Sequence, residues 1–227
     1  MVRQMSKRKE PKRIFIVDDH PVFREGLVGL LQRQQDLTVC GQAGDARPVL
    51  TAIERLKPDL VLVDVGLPGR SGLELIKDLR AVSPETAMLV ISLHDETLYA
   101  EPALRAGAHG YIMKREDPQK VLQAIRQVLD GQIFLSPKIS VRLLDTLSHR
   151  PPKTQSPLGR LSDRELEILQ LVGQGNDSHA IAKQLNLSFK TVDAHRGHIK
   201  EKLELRNHTE LICYAARWVE RQPSLDH

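Results

Sequence analysis

From residue 14 onward, short apolar runs alternate with longer stretches in which apolar and polar positions recur at helical spacing. The runs occupy residues 14–17, 37–41, 60–63, 87–92 and 110–113; the amphipathic stretches follow at 20–33, 45–57, 72–82, 96–106 and 117–130. The run at 60–63, short and unbroken by polar positions, is that of a strand buried on both faces of a parallel sheet. The stretches between the runs carry helical stripes, such as Leu73, Ile76 and Leu79, or Val121, Leu122, Ile125, Val128 and Leu129. Five strand–helix units predict an α/β fold: a (βα)5 doubly wound parallel sheet with helices on both faces. Pro48 falls in the first turn of the second helix, where its missing N–H is harmless, and Gly131 ends the fifth.

Beyond Gly131 the pattern changes. Ser136 and Pro137 form an N-cap and first helical position for a short helix reaching Leu147. Residues 148–160 hold Pro151, Pro152 and Pro157 with no apolar period and read as a flexible linker. From Leu161 only helices are predicted. Ser162 with Glu165 three residues on is a capping box; Leu166, Leu169 and Val172 continue its helix to the Gly173–Gly175 region. Asp177 or Ser178 caps a short helix with Ile181, Ala182 and Leu185. A turn at residues 186–188 leads into a longer helix near 189–203, and a last helix spans about 208–219. Helix, tight turn, helix is the helix-turn-helix pattern, giving a small all-α second domain. The predicted organisation is a basic disordered tail (1–13), an α/β domain (14–131), a linker with a short helix (132–160) and the helix-turn-helix domain (161–221).

Composition adds location and charge. Two cysteines, Cys40 and Cys213, match no metal or redox spacing, no signal peptide is visible, and no apolar run approaches the roughly 18 residues of a membrane span. A cytoplasmic protein is expected. The formal net charge of +4 is unevenly spread. Residues 1–13 carry six basic residues against one acidic, whereas residues 14–130 carry 13 against 17. The last 77 residues are almost neutral but hold five of the nine histidines.

The strand at 60–63 runs into Asp64, and an acidic side chain at the carboxyl end of such a strand lies where open α/β sheets place their ligand sites. Asp18 and Asp19 follow the first strand, which this topology puts beside the third. Three carboxylates sharing a crevice repel one another and call for a divalent cation; an all-oxygen set favours Mg²⁺. Ser92 ends the fourth strand as a hydrogen-bond donor for a phosphoryl oxygen, and Lys114 ends the fifth as a compact point charge. Each alone has a plain structural reading: Asp18 and Asp19, or Ser92, could cap the following helix, and Lys114 could be a rim charge. Together they describe a carboxylate nucleophile, Asp64, beside a metal and a lysine.

These residues carry a resemblance. Val17-Asp18-Asp19-His20, Val63-Asp64 with Leu67-Pro68 and Ser71-Gly72-Leu73-Glu74, Ile91-Ser92, and residues 107–114 ending in Tyr111-Ile112-Met113-Lys114 resemble the receiver half of bacterial two-component response regulators of the NarL/FixJ (LuxR-type) group. In the second half so do residues 161–169, Ile181-Ala182 with Leu185, Ser188 to Val192, His195, Ile199 and Lys202-Leu203. The resemblance spans residues 12–220. It implies that Asp64 is the phosphoacceptor for a sensor histidine kinase, with Asp18, Asp19, Asp64 and the Gly66 carbonyl holding Mg²⁺. It makes Ser92 and Tyr111 a switch pair. It implies a homodimer when active, double-stranded DNA and RNA polymerase as partners, and catalysis limited to the protein's own aspartyl phosphorylation and dephosphorylation. Two departures stand out: Arg70 in the loop after Asp64, where an apolar residue is common, and Pro102 inside the fourth helix, which predicts a late start or a kink.

In the long helix of the second half, Val192, Ile199 and Leu203 form a core stripe, and the rest of its surface is polar. Such a helix fits the major groove. Lys190, Arg196, Lys200 and Lys202 are candidates for phosphate contacts, with Thr191 and the helix N-terminus assisting; Asp193, Ala194, Arg196 and Gly197 are placed for base edges. His195 borders the stripe and is either packed or a DNA contact. The last helix, with Leu211, Ile212, Ala215 and Trp218, is expected to dimerise, to pack on its own core, or both. Other classes fit less well. An aspartyl phosphatase lacks its second Asp, since Gly66 stands two residues after Asp64; a dinucleotide fold lacks a glycine-rich turn after the first strand. A receiver acting without phosphate, as an interaction module, stays open.

Overall fold

The computed structural model describes residues 10–68, 70–147, 157–185 and 187–220. Most of the basic tail and residues 148–156, with Pro151 and Pro152, lie outside the described residues. All five apolar runs become strands: β1 (Lys12–Val17), β2 (Leu37–Ala43), β3 (Leu60–Val63), β4 (Ala87–Ser92) and β5 (Gly110–Met113). The helices between them are α1 (Pro21–Gln32), α2 (Val49–Leu56), α3 (Gly72–Val82), α4 (Glu96–Ala106) and α5 (Pro118–Leu129). The sheet is parallel with order β2-β1-β3-β4-β5, so β3 is central and β1 lies directly beside it.

Strand alternation divides the core. Ile14, Ile16, Leu60, Leu62, Leu89 and Ile91 face α1 and α5, meeting Leu27, Leu31, Leu122 and Ile125. Phe15, Val17, Val61, Val63, Met88 and Val90 face the other way, toward Val49, Ile53, Leu73, Ile76 and Ala103 of α2, α3 and α4. Because both faces are covered, no polar position interrupts β3, and its four residues are fully buried.

Local chemistry sets the helix ends. The Ser71, Asp95 and Asp117 side chains accept N–H bonds at the starts of α3, α4 and α5. Pro48 sits one place before α2, at its N-cap, instead of inside the first turn. α4 starts at Glu96 despite Pro102, which removes one intrahelical N–H without ending the helix. Arg70 is tied to the loop's own helix by ion pairs with Asp78 and Glu74.

The connector is more ordered at its start than a linker requires. Phe134 bridges to Gly110 and exchanges backbone bonds with His109 and Tyr111, covering the free edge of β5. The predicted short helix forms as α6 (Pro137–Leu147) and lies on α4. There Ser136 Oγ donates to Glu96 Oε1 at 2.8 Å, and Arg142 Nη1 donates to the Thr97 carbonyl at 2.8 Å.

A 3₁₀ turn at Pro157–Arg160 leads into α7 (Asp163–Gly173), α8 (Ser178–Gln184), α9 (Phe189–Lys202) and α10 (His208–Glu220). The Ser162–Glu165 capping box is complete, and Asp177, not Ser178, caps α8. Val192, Ile199 and Leu203 are buried with Leu169, Ile181 and Leu211. α10 packs on α7 so closely that a Cβ on Gly173 would stand 2.5 Å from the Ala215 carbonyl oxygen. Leu211 and Ala215 therefore belong to this domain's own core, while Ile212 is 48% exposed.

Candidate functional site

The sheet hydrogen bonds continue one residue past the strand ends, and this sets the site's backbone. Asp18 N–H donates to the Ala43 carbonyl at 3.1 Å, Asp64 N–H to Val17 at 2.8 Å and Lys114 N–H to Ser92 at 2.8 Å. Asp18, Asp64 and Lys114 are thus each the first residue beyond a strand and Ser92 is the last residue of β4, so all four rise from one end of the sheet. Asp18, Asp64, Ser92 and Lys114 are buried; Asp19 is partly exposed and His20 exposed.

Lys114 Nζ lies 2.6 Å from Asp64 Oδ2 and 2.8 Å from Asp18 Oδ2. One ammonium between two buried carboxylates leaves the group anionic. Asp19 adds a further negative charge, and desolvation raises its pKa above the ordinary carboxylate value, with His20 partly opposing. His20 Nδ1 is 2.7 Å from Asp19 Oδ1 and 3.3 Å from Asp18 Oδ1. Asp18 Oδ2 and Asp19 Oδ1 have these charged neighbours but no well-directed hydrogen bond. Ligand atoms of Asp18, Asp19, His20 and Asp64 all lie within 4.8 Å of one another. This oxygen-rich donor set suits a hard divalent cation such as Mg²⁺. Gly66 lines the same cavity, and its N–H donates to Asp64 Oδ1 at 3.2 Å.

Ser92 does not cap α4. Its Oγ accepts from the His94 N–H at 3.3 Å, and Tyr111 Oη donates to the His94 carbonyl at 2.8 Å. Tyr111 is 1% exposed; burial pushes its phenol well above the ordinary value, Ser92 partly opposing. His94 therefore joins the two predicted switch residues, a role periodicity could not show. It also reaches the second domain: His94 Nδ1 is hydrogen-bonded to Gln170 Oε1 of α7 at 2.9 Å. Burial lowers its imidazole pKa, with Asp64 opposing. A cavity of about 310 Å³ separates the halves here, lined by Asp64, Ser92 and His94 on one side and Glu167, Gln170 and Gln184 on the other.

On α9 the predicted contact residues divide. Lys190, Asp193 and Ala194 are exposed, and Thr191, Gly197 and Lys200 are partly exposed; nothing lies within 4 Å of where a Gly197 Cβ would be. Arg196 departs from the expectation. It is 8% exposed and its Nη1 donates to Ser178 Oγ of α8 at 2.6 Å, so its guanidinium is turned into the domain and away from phosphates or bases. Lys202 is held too, its Nζ 2.6 Å from Glu165 Oε2. His195 is half-buried, and burial lowers its pKa.

Comparison with known proteins follows the same division. Residues 14–126 match the response regulator receiver domain, and residues 159–215 match the domain described as bacterial regulatory proteins, luxR family. The nitrate/nitrite response regulator protein NarL of Escherichia coli strain K12 is 33% identical over 214 residues, covering 94% of this chain and 97% of that protein. The oxygen regulatory protein NreC of Staphylococcus haemolyticus is 36% identical over 210 residues, 90% and 97% of the two chains. Among solved structures, a LuxR-family two-component response regulator from Aurantimonas sp. SI85-9A1 gives a TM-score of 0.57 at 33% identity, over 62% of this chain and 100% of that one. RcsB from Salmonella typhimurium gives 0.68 at 24% identity, over 92% and 98%, a likeness of fold. Strand-end carboxylates, a helix-turn-helix and full-length relatives agree: the chain belongs to the LuxR family of two-component response regulators, with a receiver domain followed by a LuxR-type DNA-binding domain.

Proposed function

We propose that Asp64 accepts a phosphoryl group from a partner sensor histidine kinase and that the phosphorylated state frees the second domain to dimerise and bind DNA. The observation that carries this is the ammonium of Lys114 between the Asp64 and Asp18 carboxylates at a water-accessible cavity. An Asp64 oxygen forms the new O–P bond as the P–N bond to the donor imidazole breaks, its electron pair leaving with the imidazole. Lys114 offsets charge on the transferred group. Asp18, Asp19, Asp64 and the Gly66 carbonyl would hold Mg²⁺, which supplies further charge neutralisation when bound.

The incoming group carries roughly two negative charges. Ser92 Oγ, which accepts from the His94 N–H, turns to donate to a phosphoryl oxygen instead. Tyr111 then follows, and its bond to the His94 carbonyl is given up. Because His94 also holds Gln170, the same rearrangement loosens α7 from the receiver. α9 then docks in the major groove through Lys190, Thr191, Asp193, Ala194, Gly197 and Lys200, in a dimer whose two copies read adjacent half-sites. Transcription of the bound genes is regulated, with RNA polymerase as the downstream partner. The protein works in the cytoplasm.

The test is Asp64→Asn with a small phosphodonor and Mg²⁺. Loss of base-labile, hydroxylamine-sensitive phosphate is expected, together with loss of the increase in oligomer size that beryllofluoride is expected to induce in the wild type. Phosphorylation that persists in Asp64→Asn sinks the assignment.

A further inference from the structure

Glu165, His195 and His198 bring three metal-competent ligand atoms within 4.8 Å of one another, on the face where α7 meets α9. The capping box explains only half of Glu165. Its Oε2 accepts from the Ser162 N–H and from Lys202 Nζ, both at 2.6 Å, while Oε1 is directed toward His198, 3.9 Å from its Nδ1. His195 Nδ1 is buried and has no hydrogen-bond partner among the described residues, which a satisfied core histidine would have. His198 lies one helical turn on from His195, its ring nearly perpendicular to that of His195, with a side chain 60% exposed and free to change rotamer.

We propose that these residues form a site for a divalent transition metal of the zinc class, with Glu165 Oε1 and the two imidazoles as ligands and water completing the shell. Two imidazoles and one carboxylate form a ligand set typical of such ions and ill suited to Mg²⁺. Ligands about 2.0–2.1 Å from a tetrahedral ion stand roughly 3.3 Å apart, so ligand atoms now within 4.8 Å of one another must draw closer, and the exposed His198 side chain has room to move. The bound ion would pin the start of α7 to the middle of α9. Lys202, on the other oxygen of Glu165, repels it and sets a modest affinity.

The test is a Co²⁺ titration of the untagged full chain in excess Mg²⁺, which occupies the receiver's acidic cluster. Expected are the intense visible absorption of tetrahedral cobalt, one equivalent per chain and displacement by Zn²⁺. His198→Ala, at an exposed position and with folding checked by circular dichroism, loses the band; Lys202→Gln, which removes the competing cation, binds several-fold tighter. A wild type without the band overturns the proposal. So does a band equal in His198→Ala, which assigns the metal elsewhere, or unchanged affinity in Lys202→Gln.

Discussion

Replacing Gln170 by Ala removes the side chain that holds His94 across the two halves, without touching α9 or the acidic site. The bond is 2.9 Å long and part-buried, beside a cavity of about 310 Å³. A water occupies about 30 Å³ of liquid volume, so solvent can reach the His94 nitrogen left behind. The full penalty of an orphaned buried donor therefore does not apply, and the net value of an ordinary hydrogen bond, about 1 kcal/mol, is the appropriate loss. In the proposed switch the closed arrangement dominates before phosphorylation, so that loss is expected to multiply the open fraction, and with it the apparent DNA affinity, by roughly fivefold. The assay is fluorescence anisotropy on a duplex selected from random sequence by the protein, with and without beryllofluoride. The gain is expected in the untreated protein and absent after treatment, because in the proposed switch the activated form has already given up the bond. An equal gain in both forms would mean that Gln170 acts on DNA directly; no gain in either would mean that the bond does not restrain the second domain.

Three other outcomes follow from the same geometry. Lys190→Ala lowers the slope of log affinity against log salt by about one phosphate contact, whereas Arg196→Ala leaves the slope unchanged and destabilises the helical domain by about 1.5–3 kcal/mol in denaturant melts, through loss of the Ser178 bond. In Gly72→Ala the new Cβ would meet the Asp64 carbonyl oxygen at 2.0 Å. Backbone must move there, so the receiver loses about 1–3 kcal/mol and takes up phosphate more slowly; an unchanged denaturation midpoint contradicts this. Arg126 donates Nε to Asp36 Oδ2 at 2.8 Å and Nη2 to Oδ1 at 3.0 Å, holding that carboxyl below its ordinary pKa. A depressed folded value means the contribution is complete above the unfolded pKa of about 3.9 and disappears as pH falls through the lower folded value. Both side chains are well exposed, so Asp36→Asn costs at most about 1 kcal/mol at pH 7, and the gap in midpoint from wild type closes in acid.

The periodicity of the chain determined the parallel sheet, the position of Asp18, Asp64, Ser92 and Lys114 at its carboxyl end, and the buried stripe of Val192, Ile199 and Leu203. These depend on which face of its own element a residue occupies, and that is a local property. Where a long polar side chain goes depends on what packs opposite. Arg196 lies on a helix face that reads as solvent-exposed, yet Ser178 of the neighbouring helix draws its guanidinium inward; Glu165 draws in Lys202 in the same way. His94 lies in the turn between β4 and α4, and only the second domain's approach gives it Gln170, 76 positions away, as a partner. Glu165, His195 and His198 became one group because α7 crosses α9 at that turn. The sequence thus determined that Asp64 stands beside Asp18 and Lys114 at the carboxyl end of the sheet. The tertiary structure decided what His94, Arg196 and Glu165 touch, since contacts between elements far apart in the chain are set by packing, which no local pattern encodes.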